Sequence, residues 1–173
     1  MTIWTVGHSN RILEEFITLL KAHRIESVAD VRSYPGSRKF PHFNREALHE
    51  ALAVAGIEYR HIPQLGGRRR ASRDSSRHKA WRNEGFRAYA EHMESDEFAE
   101  GIARVLETAS QRNTAVMCAE ALWWRCHRQL IADYLKVRGH RVVHLLHEDK
   151  EEEHPYSPPA TIRDGELSYE TDE

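Results

Sequence analysis

Long apolar runs are absent from this 173-residue chain, and no stretch reaches eighteen apolar residues, so no membrane-spanning helix is expected. Cysteine is scarce. Only Cys118 and Cys126 occur, which excludes a disulfide framework and makes their interest chemical. The chain opens on Met1-Thr2-Ile3-Trp4 with no basic-then-apolar leader, and with this goes the expectation of a soluble, cytoplasmic protein. A G-x-G-x-x-G fingerprint is missing, as are paired-cysteine ribbon spacings, so no cofactor and no metal is expected. Internal repeats are also lacking. What remains is a 40% apolar chain long enough to bury roughly 70% of its unfolded surface in one compact domain.

Charge is unevenly spread. Residues 148–173 hold ten acids and two bases, a net −8 within a chain of −2, which leaves +6 on residues 1–147. Arg68, Arg69, Arg70, Arg73, Arg77, Lys79 and Arg82 crowd residues 68–82, either as solvated surface or as a loop that attracts phosphate or nucleic acid. The acidic segment contains Pro155, Pro158 and Pro159 and is expected to be an irregular tail, loosely packed or wrapped around the body.

Periodicity predicts alternating strands and helices. Ile3–Val6, Ser27–Val31, Glu58–Ile62, Thr114–Cys118 and Arg141–Leu146 read as strands. Leu13, Phe16, Ile17 and Leu20 mark a first helix, and Asn44 caps a second that ends at Gly56. Phe86–Met93 is a short helix, Ser95 opens a longer one, and Leu130, Ile131, Tyr134 and Leu135 mark another that closes near Gly139. Such alternation calls for a single three-layer αβα domain around a mostly parallel, about five-stranded, Rossmann-like sheet over residues 1–147.

Ligands of open parallel sheets bind beyond the carboxyl ends of the strands. The predicted exits carry Gly7-His8-Ser9, the segment from Asp30 through Arg32 to Pro35 and Ser37, Leu65-Gly66-Gly67, Met117-Cys118-Ala119-Glu120, and Cys126-His127-Arg128. In this order the motifs resemble the family called domain of unknown function 488, over nearly the whole chain. The resemblance implies a compact cytoplasmic α/β protein with its site at these motifs, and it implies no reaction.

The residues suggest roles of their own. Cys126, near a helix start and beside Arg125, His127 and Arg128, is a candidate nucleophile with a depressed pKa, or else an inert half-buried thiol. Cys118 closes a buried strand and reads as a core residue that reaches the cleft. His8 either shuttles a proton or ties down its loop, and His127 packs inward. Glu120 is an acid or base if burial raises its pKa, and otherwise a partner for an arginine. Asp30 and Arg32 face opposite sides of the sheet unless the strand ends between them, and Arg32 either grips an anion or forms a structural ion pair. Ser9, Ser37, Gly66, Gly67, Trp124 and Arg128 complete the ligand-contacting set, with Trp123 and Trp124 joining Tyr34, Phe40 and Phe43 either as an aromatic wall or as packing over the loop edges. Cys118 and Arg125 are separated by six residues where the cysteine-phosphatase loop has five, which rejects that chemistry. The expected function is hydrolysis or group transfer on an anionic substrate such as a nucleotide. The alternative is a non-catalytic nucleic-acid module using the loop at 68–82.

Overall fold

A computed structural model of the chain describes residues 1–36, 38–70 and 77–171. Its strands are β1 (Thr2–Gly7), β2 (Ser27–Asp30), β3 (Glu58–His61), β4 (Thr114–Cys118), β5 (Arg141–His147) and β6 (Lys150–Glu153), joined in one sheet of order β3-β2-β4-β1-β5-β6. The first five are parallel, and β6 returns antiparallel along β5. β4 is buried at every residue, as a central parallel strand covered on both faces must be.

Among the described residues five α-helices cover the sheet: α1 (Leu13–Ala22), α2 (Arg45–Val54), α3 (Glu84–His92), α4 (Asp96–Ala109) and α5 (Arg128–Val137). Alternation along β4 sorts the core into two layers. Ala115 and Met117 pack with Phe16, Leu20, Leu48 and Leu52 of α1 and α2. Val116 and Cys118 pack with Tyr89, Phe98, Ile102, Leu130 and Ile131 of α3, α4 and α5. The result is a three-layer αβα domain. Ser95 caps α4 through Phe98 N–H at 3.1 Å, with Asp96 and Glu97 in the first turn where the helix dipole favours them.

The adjacent strands β1 and β4 send their following helices to opposite faces, α1 to one and α5 to the other. That divergence opens a crevice at their carboxyl ends.

The acidic tail departs from its predicted irregularity. Beyond β6 it forms a hairpin of β7 (Thr161–Arg163) and β8 (Glu166–Ser168), and it buries His154, Ser157 and Tyr169. The anchor is Asp133 on α5, which accepts from His154 Nε2 at 2.6 Å, Ser157 N–H at 2.8 Å and Tyr169 O–H at 2.7 Å. His154 bonds His144 at 2.8 Å, and His144 bonds Thr5. Among the described residues the sheet thus holds the five expected parallel strands and, beside β5, the antiparallel β6. No helix among the described residues is long and apolar enough to cross a membrane.

Candidate active site

A cleft of about 840 Å³ lies at the strand exits. The β1 exit is laced to the β4 exit by His8 N–H to Cys118 O at 3.0 Å and Ser9 N–H to Ala119 O at 2.9 Å, and Ser9 adopts a left-handed φ of 53°. Gly7 permits this approach, since a Cβ there would sit 1.6 Å from the Glu120 carbonyl oxygen. Gly67 does likewise for His127, whose Nδ1 would lie 2.4 Å from an added Cβ. Gly67 lines the cleft, while Gly66 stands behind it against Ser33.

β2 ends at Asp30, so the alternation that would separate Asp30 from Arg32 is broken. Their side chains meet in a buried bidentate pair, Nε to Oδ1 at 2.9 Å and Nη2 to Oδ2 at 2.8 Å. Asp30 also accepts the Arg32 N–H at 3.1 Å and the hydroxyl of Tyr59. Burial and the Asp30 charge push the Tyr59 hydroxyl above its ordinary pKa, so it stays a donor. Arg32 is thus held by Asp30, not Glu120, while its edge still faces the cleft.

His8, 3% exposed, stacks on Phe43 at 4.3 Å. Its Nδ1–H donates to Ser9 O at 2.9 Å, which leaves Nε2 to accept from Arg32 Nη1 at 3.3 Å. Burial, with the Arg32 charge adding to it, lowers its pKa to about 4. Neutral and bonded through both nitrogens, His8 secures the loop and Arg32; the proton-shuttle alternative loses its free nitrogen. His127 donates from Nε2 to Val31 O at 2.8 Å and is likewise lowered to about 4, chiefly by burial. It fixes the β2 exit.

The two cysteines meet here. Cys118 Sγ and Cys126 Sγ are 2.9 Å apart, both thiols are free, and both line the cleft. Cys118 is 2% exposed and Cys126 8%. Beneath them Arg128, 1% exposed, gives Nη2 to Ala121 O at 3.2 Å and has no hydrogen-bond partner for Nε or Nη1 among the described residues. Thiols in contact lose their protons in two steps that belong to the pair. Burial raises the Cys118 thiol, but the Cys126 S–H bond and the Arg128 charge outweigh it and bring Cys118 below its usual value. Burial, then the hydrogen bond to and charge of Cys118, push Cys126 well above its own. The shifts run against the expected order: Cys126 precedes α5 by two residues and accepts the Arg128 N–H at 3.3 Å, yet its thiol is pushed up while that of Cys118 is brought down.

Other expectations shift as well. Glu120 is exposed at the cleft edge, so the burial needed to make it a tuned acid is missing. Trp124 is 46% exposed and lies outside the cleft lining, edge-on to Trp123, which is itself stacked inward on His144. Of the expected wall, Tyr34 and Phe40 line the cleft and are joined by Phe86, whereas Phe43 is fully buried beneath His8. Ser37 lies outside the described residues, as does part of the basic loop, Arg73 included. Arg69 is occupied by Gly66 O, Pro63 O, Gln64 O and Glu97, and Arg77 by Glu94 and Glu170. Sequence reasoning missed Tyr59, which sits opposite Val28 in the β2–β3 register, and Phe86.

The order of these motifs finds its counterpart in comparison with known families. A model described as Domain of unknown function DUF488 matches residues 12–135. The chain belongs to this family. The matched span holds Asp30, Arg32, both cysteines and Arg128, whereas His8 and the β5–β8 region with His144 and His154 fall outside it. No curated protein and no solved structure matches the chain. Among the described residues no three His, Cys, Asp or Glu side chains cluster closely enough to hold a metal ion.

Proposed function

We propose that the cleft binds a small anionic substrate, with nucleotides the favoured class, and that a cleft thiolate attacks it in a group-transfer or hydrolytic reaction. The observation that carries this reading is the charge of the lining. Among the described residues of the lining, Lys39, Arg68 and Arg125, with the outer edge of the Asp30-paired Arg32, stand against the single carboxylate of Glu120, above two thiols in contact. In a partly enclosed site such an imbalance concentrates anions and holds negative charge as it develops. Tyr34, Phe40 and Phe86 add flat apolar surface for a base.

Arg68 is positioned for this task. Its backbone N–H bonds Ser33 Oγ at 2.9 Å and its guanidinium lies over the Tyr34 ring at 5.4 Å. Cys118 replaces Cys126 as the nucleophile, with Arg128 stabilising the thiolate and His8 holding Arg32. The engagement of Arg69 and Arg77 by carboxylates and carbonyls favours a small ligand over a nucleic-acid strand, because those cations are no longer free to neutralise phosphates.

Alkylation by iodoacetamide tests the reading. Cys118 should react faster than a model thiol at neutral pH, adenosine monophosphate should slow the reaction, and added salt should weaken that protection. A thiol no faster than the model compound and indifferent to the nucleotide overturns it.

A further inference from the structure

Two thiols in contact can do more than one. The geometry points to a dithiol–disulfide couple in which Cys118 attacks and Cys126 resolves, with a small anionic disulfide, such as one bearing a nucleotide, as substrate. This rests on the anion-binding reading of the cleft and names its reaction as thiol–disulfide exchange.

Three observations carry it. The sulfurs are 2.9 Å apart, and a disulfide bond is about 2.05 Å long, so closure needs only a small side-chain displacement. Arg128 lies buried close by with two nitrogens that have no partner among the described residues, and its charge acts on both sulfurs. The cationic and aromatic lining suits a substrate whose arms carry phosphates and a base. A lone thiolate nucleophile explains the first sulfur only. It gives no role to a second thiol placed against it at the same cleft.

The chemistry balances. The Cys118 thiolate attacks one sulfur of R–S–S–R, a Cys118–S–S–R bond forms, and the first RS⁻ leaves and takes up a proton. Cys126 gives its proton to the departing thiolate or to water and attacks Cys118 Sγ. The Cys118–Cys126 disulfide forms as the second RS⁻ departs. Two electrons have passed from the protein dithiol to the substrate, which leaves as two thiols, and a low-molecular-weight dithiol reductant restores the starting state.

The test uses the full, reduced chain and coenzyme A disulfide, read by intact mass and peptide mapping. Wild type should lose the mass of two hydrogens, form the Cys118–Cys126 link and hold no adduct. Cys126→Ser should stop at one coenzyme A adduct on Cys118, and Cys118→Ser should take none at a comparable rate. Cystamine, a cationic disulfide without a base, should react roughly tenfold more slowly at low salt, with the gap closing as salt rises. A persistent adduct on wild type, or no link, overturns the couple, and equal rates for the two disulfides overturn the assigned substrate class. Because the wild-type measurement needs no substitution, misfolding of a variant does not decide the matter. Nucleotide protection of Cys118 from iodoacetamide without any disulfide formation would sink the couple while the anion-binding reading stands.

Discussion

Arg128 is a buried cation that makes no ion pair among the described residues, and its neighbours are sulfurs. Hydrophobic replacement of a buried charge is often neutral or stabilising. Arg128→Met should therefore unfold at a urea midpoint equal to or above wild type, while alkylation of Cys118 at neutral pH slows several-fold. A parallel loss of both would make Arg128 a structural residue. Asp30 has the opposite dependence. It receives Arg32 and Tyr59 in a fully buried position, and Asp30→Asn strands the guanidinium. Urea titration should show a loss of about 3 kcal/mol or more. Neither residue declares its role by spacing alone. Asp30-x-Arg32 is legible as a motif, but its ion pair exists because β2 stops at Asp30, a boundary that periodicity locates only to within a residue or two. Likewise a helix start beside two arginines and a histidine points to Cys126, whereas the contact with Cys118, which brings that thiol down, exists only in three dimensions.

Between elements, the decisive contact is the backbone approach of the β1 exit to the loop after β4. An added methyl at Gly7 meets the Glu120 carbonyl, which is backbone and cannot swing aside. Gly7→Ala should cost about 2–4 kcal/mol and lower the melting temperature, and Cys118 alkylation should lose its rate advantage as the loop is displaced. The five parallel strands and their helices were legible because each buries an apolar face at period 2 or 3.6. β6 was not, for Lys150-Glu151-Glu152-Glu153 has no apolar alternation. It pairs as an edge strand on β5, where both faces are partly wet, and its acids reach Trp123, His23 and Arg141 rather than an apolar core. The tail's other anchors, His154, Ser157 and Tyr169, are scattered single residues that meet Asp133 only in three dimensions.

Across the whole molecule, buried neutral imidazoles govern acid stability. Burial lowers His8 and His127 to about 4, and burial with the His154 and Arg128 charges lowers His144 to about 2. Each is near 6.5 in the unfolded chain, so the unfolded state binds more protons below that value. Their contribution is complete above pH 6.5 and drains away as pH falls toward the folded values, by up to about 1.4 kcal/mol per pH unit for each imidazole. Urea midpoints measured from pH 7.5 down to 4.5 should fall steadily, with a shallower fall for His144→Gln than for wild type. Removing residues 148–173 should not simply unmask positive charge. The truncation takes His154, Ser157 and Tyr169 from Asp133 and strips Tyr169, Leu167 and Ala160 from the core layer they pack on, so the product should be insoluble or protease-sensitive rather than a stronger binder of nucleic acid.

The Asp133 anchor also braces the wall on which the thiols stand. Asp133 lies on α5, the helix that carries Arg128 and follows Cys126, so the hairpin that grips Asp133 through Tyr169 leans on the same helix. Tyr169→Phe should therefore change the rate of Cys118 alkylation as well as the melting temperature, which ties a distant clasp to the chemistry of the cleft.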